Sequence, residues 1–266
     1  MTILEYHQSA DQLRWLAQIE SAGWRAAKYL AELLKTNRFH EMTGEKSRLL
    51  LLTEGTRLIA FCTYAERDEI PDAGLTPWAG FVYTFPAYRG KRRMGKLLEH
   101  AYRLAKADGF PCLYISTEET GLYEKYGCIF WKTMKDLNGN DSRIYRLPIV
   151  EMDYSGVFGR TVTGTVDRPL GSRHPRHPEM VYPINYGYVD GVFAEDGAEQ
   201  DVYLFGTDQA LRTYTGTVAG VYHRLNDCED KWIVSLNGEI PGRDEILEKI
   251  AFQEQYFMGE LYLPGG

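Results

Sequence analysis

Cysteine is the first thing this chain of 266 residues has little of. Its four cysteines, Cys62, Cys112, Cys128 and Cys228, never stand at C-x-x-C spacing. Neither a zinc site nor a disulfide framework is therefore expected, and a reducing cytoplasm is. Long hydrophobic runs are also missing. The run in "LLLLTEG" is strand-sized, far short of the roughly 18 apolar residues that cross a bilayer, so no membrane association is expected. The opening "MTILEYHQSADQLRW" has no basic start, apolar stretch or cleavage site, so it does not read as a secretory leader. Positive charge is short overall: 30 Lys and Arg against 37 Asp and Glu give a formal net charge of −7, with a pI near 5.5. Nucleic-acid binding, which needs a basic face across a domain, is not expected.

Against that acidic background stands "YRGKRRMGKLL", Tyr88 to Leu98. Five of the eight residues from Arg89 to Lys96 are basic. The segment follows a strand-like "AGFVYTF" and leads into a helical "KLLEHAYRLAKADG". A strand, a Gly-containing loop and a helix start leave backbone N–H groups without partners at the positive end of the helix dipole. Cations there oppose the dipole unless an anion joins them, so the spacing points to a phosphate-bearing ligand.

The rest of the chain divides into two grammars. In the first half, "SADQLRWLAQIE" reads as a helix with Leu13, Leu16 and Ile19 inward, and "WRAAKYLAELLK" as a second with Trp24, Ala27, Leu30, Leu33 and Leu34 inward. "SRLLLLTEG" and "TRLIAFCTYAE" form a hairpin through Glu54–Gly55. "PCLYIST", a short helix "TGLYEKYG", then "IFWKTMKDL" and "SRIYRLPI" complete an alternating α/β pattern. After about residue 155 come "RTVTGTV", "QDVYLFG", "YTGTVAGVYHR" and "DKWIVSL" between turn-rich segments, with one late helix, "RDEILEKIAFQEQYF". That is a β-barrel or sandwich capped by a helix. Two domains are expected, 1–150 and 158–264, with the seam in "LPIVEMDYSGVFG" and no internal repeat.

"VYTFPAYRGKRRMGKLLEHA" resembles the coenzyme-binding segment of the GNAT superfamily of acetyltransferases, whose pattern is Arg/Gln-x-x-Gly-x-Gly/Ala. "GLYEKYGCIF" resembles the block that follows the fifth strand in that family. The resemblance implies an α/β (α+β) GNAT fold with a mixed central sheet, an acetyl-CoA cofactor, and a small-molecule or peptide amine as acceptor. It implies coenzyme contacts from Phe81, Val82, Tyr83 and Thr84 on the strand and from Arg89, Gly90, Lys91, Arg92, Arg93, Met94, Gly95 and Lys96 on the loop and helix start. It casts Tyr123 as the general acid that protonates the departing thiolate, a role a phenol of pKa about 10 can fill while neutral at pH 7. The sequence departs from the pattern at Arg92 and Met94, where a glycine and a small residue are usual, and Gly95 is displaced by one. These departures bear on how closely the backbone approaches a phosphate.

No base for the amine is identifiable; Glu20, Glu118 and Glu119 are candidates by position. Cys112 and Cys128 read as core residues, so direct attack is expected rather than a cysteine-acyl intermediate. The loop "AERDEIPDAGLTPW" carries Asp68, Glu69, Asp72 and Trp78, which fit an amine-facing mouth and an ordinary polar loop equally.

In the second half, "YPINYGYVDGVFAEDGAEQD" resembles the soluble inorganic pyrophosphatases through Tyr182, Pro183, Asn185, Tyr186, Gly187 and Tyr188, then Asp196, Gly197 and Asp201. "VDRPLGSR", with Asp167, and "EDKWIV", with Glu229 and Lys231, resemble further segments of that family, and the resemblance of "FQEQYF" implies Tyr256 as its phosphate-binding tyrosine. The resemblance implies an OB-like barrel with a C-terminal helix, and a Mg²⁺ site at Asp196, Asp201 and Glu229. Its central aspartate is Ala198 here, with Glu199 beside it. "SRHPRHPEM", bearing His174 and His177, fits a phosphate contact or a Pro-stiffened loop. Three readings stay open: acetyl transfer by the first half, a coenzyme sensor with an interaction barrel, and a Mg²⁺-dependent phosphohydrolase. The oligomeric state is open too, a homodimer among the alternatives.

Overall fold

A computed structural model describes every residue except Asp72, Ala73, Glu195, Cys228 and Gly266. Two sequence expectations, for Asp72 and Cys228, therefore lie outside the described residues. The chain forms two compact units, Met1–Val150 and Glu151–Gly266.

In the first unit the order is β1 (Thr2–Glu5), α1 (Gln12–Ser21), α2 (Arg25–Lys35), α3 (Phe39–Thr43), β2 (Arg48–Glu54), β3 (Arg57–Ala65), β4 (Trp78–Thr84), α4 (Arg93–Ala107), β5 (Cys112–Thr117), a 3-10 turn (Tyr123–Tyr126), β6 (Ile129–Lys135) and β7 (Asp141–Pro148). They build one mixed seven-stranded sheet, β1-β2-β3-β4-β5-β7-β6, parallel only between β4 and β5. The four consecutive leucines of β2 are explained by burial on both faces. Leu49 and Leu51 join the core shared with α1 and α2, and alternation sends Leu50 and Leu52 to the face where α4 packs.

One helical stripe differs from expectation. Leu13 is 83% exposed, and α1 is anchored by Trp15 and Ile19 instead. Ser9 fixes this phase: its hydroxyl accepts bonds from the Asp11 N–H at 3.2 Å and the Trp15 indole at 2.9 Å. Strand β1 and helix α3 carried too few residues to be read from the sequence.

The second unit contains β8 (Thr161–Arg168), β9 (Asn185–Phe193), β10 (Glu199–Phe205), β11 (Thr213–Arg224), β12 (Asp230–Ser235), α5 (Arg243–Glu254) and β13 (Gly259–Tyr262). Pairing runs β12-β10-β9-β8-β11, and β11 returns to β12, closing a five-stranded barrel with β13 added to β11. Alternation along β10 shows both layers: Val202 and Leu204 point into the barrel, Tyr203 and Phe205 out toward Ile246 and Ile250 of α5. Gly187 is required because a Cβ there would lie 2.1 Å from the Thr165 carbonyl oxygen. The seam segment belongs with the barrel, for Tyr154 is buried in its core and Met152 packs beside it. Among the described residues no helix is long and apolar enough to cross a membrane.

Candidate active site of the first unit

The cleft arises from a mismatch in the sheet. Strands β4 and β5 pair only at Trp78 and Tyr114, with the Tyr114 N–H bonded to the Pro77 carbonyl at 2.9 Å, and separate beyond. On its other edge β4 stays paired with β3, but with a bulge between Tyr83 and Gly80 in which Phe81 takes a φ of 47°. The Phe85 N–H bonds to Ile59 at 3.1 Å. Alternation then turns the amides of Val82 and Thr84 away from β3, into the gap. A groove of about 1990 Å³ results.

At one end of the groove lies the basic loop. Gly90 and Arg92 adopt left-handed conformations with φ of 77° and 50°, and α4 begins at Arg93, three residues before the expected start, with no side-chain cap. Its first N–H groups are open to an anion. Arg92 takes the conformation that glycine adopts freely, so the departure from the family pattern is absorbed by about 1 kcal/mol of backbone strain. Met94 is buried against the groove wall. Arg89 reaches back to donate from Nε to the Thr84 carbonyl at 3.0 Å and lies 5.6 Å from the Tyr83 ring centroid. Trp24 stacks on Tyr83 at 5.5 Å, so one aromatic ring braces both the loop and the start of α2.

The structure brings most expected coenzyme residues together. Phe81, Val82, Tyr83, Thr84, Arg89, Gly90, Arg92, Arg93 and Met94 line the groove, while Lys91, Gly95 and Lys96 do not. Lys91 is exposed, Gly95 is buried in the helix, and Lys96 is half-buried on it. These donors fit a diphosphate: amides at a helix start, flanked by guanidinium groups.

Tyr123 lines the same groove at 6% exposure. Burial, followed by the neighbouring Cys128, Cys62, Glu119 and Asp68, pushes its phenol well above the ordinary tyrosine range. The ring packs 6.0 Å from Tyr145, whose hydroxyl donates to Glu124 at 2.7 Å. Cys62 and Cys128 are buried, their thiols pushed up to about 12 by desolvation, which suits core residues. Of the three candidate bases, Glu118 and Glu119 line the groove and are exposed. Glu20 does not line it; its carboxylate pairs with Lys35. Asp68, which the sequence left equally as an amine-facing acid or part of a polar loop, also lines the groove, with its carboxyl pushed up to about 6, chiefly by burial. No local sequence signal distinguishes it, because its burial depends on β4 lying beneath.

In the barrel, the expected Mg²⁺ ligands do not converge on an open position. Asp201 and Glu229 both close on the ammonium of Lys231, itself 1% exposed. Glu229 is shared with Arg224, which binds Glu254 through two bonds of 2.8 Å and Asp227 at 3.0 Å. Asp196 accepts from the Ala198 N–H within the turn between β9 and β10, and Glu199 accepts from the Gly191 N–H across those two strands. Among the described residues no group of three His, Cys, Asp or Glu side chains is placed to hold a metal. A side-chain ammonium stands where a cation between Asp201 and Glu229 would, so the residues do not fit the ion. His174 lies 5.0 Å from His177 in a loop held by Arg173, which donates to the Pro178 carbonyl. Tyr256 is exposed, and Phe257 lies under the Arg224 guanidinium at 3.6 Å.

Comparison with known proteins falls into the same two parts. No curated protein matches the chain significantly. Three similar solved structures have low overall superposition scores. An aminoglycoside 6'-N-acetyltransferase from Enterococcus faecium is 12% identical, with 57% of this chain and 99% of that one covered and a TM-score of 0.42. A GNAT family acetyltransferase from Elizabethkingia anophelis with acetyl-CoA bound is 17% identical, with 55% and 95% covered and a TM-score of 0.39. An inorganic pyrophosphatase from Neisseria gonorrhoeae is 22% identical, with 39% and 76% covered and a TM-score of 0.30. The model of the acetyltransferase (GNAT) family matches residues 10–128, and with its sheet, basic loop and Tyr123 turn this part of the chain is a GNAT acetyltransferase domain.

Proposed function

We propose that the first unit transfers an acetyl group from acetyl-CoA to a primary amine by direct attack within a ternary complex. The observation that carries this reading is the gap between β4 and β5, with the open helix start at one end and Tyr123 buried along it. The coenzyme's diphosphate would meet the amides and guanidinium groups at Gly90–Arg93, and the inward amides of β4 would pair with its pantetheine arm. As the amine attacks, charge grows on the thioester oxygen, and an inward N–H of β4 is pre-placed to receive it. Tyr123 then donates its proton to the leaving sulfur. Burial that raises the phenol acts equally on a thiolate in the same gap, so the two proton affinities rise together.

An amine acceptor is supported by four acids that line the groove, Asp68, Glu69, Glu118 and Glu119. Among the described residues no thiol is exposed to serve as an acyl carrier, since Cys62, Cys112 and Cys128 are buried. Thiol release from acetyl-CoA, measured over a panel of amines with the wild type and Tyr123→Phe, tests the reading. Amine-dependent release that falls in the variant supports it; coenzyme binding without turnover on any amine overturns it in favour of a sensor. In the barrel, Lys231 and Arg224 hold Asp201, Glu229 and Glu254, which leaves these carboxylates engaged within the fold.

A further inference from the structure

An amine that arrives as an ammonium ion must lose a proton before it can attack, and the reading above names no acceptor for it. We infer that Asp68 is the general base of the groove, an assignment that rests on the acetyl-transfer reading. The geometry centres on Gly80, the residue that opens the β4 bulge. A Cβ built on Gly80 would lie 2.2 Å from Oδ2 of Asp68 and 2.9 Å from Oγ1 of Thr63. The missing side chain leaves room for the carboxylate over the strand whose neighbouring amides face the gap. Thr63 is completely buried, and its hydroxyl has no hydrogen-bond partner. An orphaned buried hydroxyl beside a carboxylate oxygen marks a place where a further polar group belongs. Tyr123 lines the same groove as Asp68. Acid and base thus border one gap.

The electrostatics suit the role. Desolvation is the main cause that lifts the Asp68 carboxyl to about 6; the Glu69 N–H, bonded at 2.8 Å, opposes it, and the Glu69 charge adds to it. Glu69, on its own loop, is the charged group that acts on it, and Tyr123 on the turn after β5 and Glu119 before it line the same groove. Thr63 from β3 and Gly80 from β4 bring no charge. A base with a pKa near neutrality takes a proton readily and is still ionised at pH 7. In the step, an N–H bond of the ammonium breaks and its proton passes to Asp68. The freed lone pair forms the C–N bond, the C–S pair leaves on sulfur, and Tyr123 protonates that sulfur. The second nitrogen proton, lost from the adduct, restores the phenol through solvent, and Asp68 discharges its proton to solvent.

The test compares the full-length wild type with Asp68→Asn, using acetyl-CoA and spermidine, a lysine-containing peptide and an amino sugar as acceptors, between pH 5.5 and 9.5. Wild-type kcat/KM is expected to rise to half its plateau near pH 6 and then level. Asp68→Asn is expected to fall about 100-fold at pH 7 and to climb about tenfold per pH unit toward the amine's own pKa, as only the free amine then reacts. Unchanged coenzyme affinity by calorimetry shows that the variant is folded. A second readout is independent of turnover. A carboxylate that the fold desolvates burdens stability increasingly from its unfolded pKa of about 3.9 up to about 6, so Asp68→Asn melts several degrees higher than wild type at pH 8 and level with it below about pH 3.5. Gly80→Ala, which puts a methyl group where the carboxylate sits, reproduces the loss of rate. Asp68→Asn within threefold of wild type with an unshifted profile overturns the assignment. A wild type that binds the coenzyme yet acetylates none of the three amines overturns the parent reading, and the assignment with it.

Discussion

In the barrel, Arg224 and Lys231 are 2% and 1% exposed and are gripped by four carboxylates, those of Asp201, Asp227, Glu229 and Glu254. At the start of α4 the cations sit at the surface, and among the described residues no carboxylate pairs with Lys91, Arg93 or Lys96. Both regions are dense in charge. The barrel satisfies its charges internally, which makes them part of its architecture, whereas the helix start leaves its first turn without a side-chain cap and Lys91 and Arg93 without a carboxylate among the described residues. A count of charged residues cannot separate these cases; the partners can.

Four experiments would break or sharpen that contrast. The largest effect is expected from Glu254→Ala, which strips the buried Arg224 of its bidentate, buried partner and leaves it only Asp227 and Glu229 toward the surface, at about 3 kcal/mol of stability or more. Urea denaturation followed by tryptophan fluorescence would show it, and a loss below about 1 kcal/mol would mean that the network is not structural. Next comes Tyr123→Phe, expected to lower kcat by about 10²–10³-fold while leaving the coenzyme's Kd unchanged. Arg93→Gln should weaken coenzyme binding by about fivefold at low salt, an effect that fades toward 1 M salt as screening grows. An equal loss at both salts would remove the charge argument. Smallest is Glu20→Gln, whose exposed pair with Lys35 should contribute less than about 0.5 kcal/mol, with turnover within twofold. A larger drop in rate would return Glu20 to the list of bases.

What could be read in advance followed chain distance. The Glu54–Gly55 hairpin, the strand ending at Thr84 and the amphipathic body of α4 are encoded over a few neighbouring residues, and each formed where its pattern stood. Leu13 misled because helical spacing alone does not choose between two overlapping stripes; the bond from the Trp15 indole to Ser9 did. Four-residue edge strands such as β1 and β13 have no periodicity to detect. At the site, the basic loop and Tyr123 were legible through local motifs. The Phe81 bulge, the gap beyond Trp78 and the place of Asp68 over Gly80 were not, because each depends on how strands distant in sequence fall into register. Glu229 and Asp201 were read as ligands for an ion, and only the fold revealed that Lys231 reaches both.

Barrel closure has a further consequence, for self-association. A sheet that returns on itself offers little free edge, whereas the seven-stranded sheet ends in two, at β1 and β6. Strand β6 carries Ile129 and Phe130 substantially exposed on that rim, interrupted by Lys132 and Lys135. Lysines on a rim discourage another strand from docking there, so they act as gatekeepers against fibrous assembly, and neutralising them would turn β6 into the chain's most adhesive border.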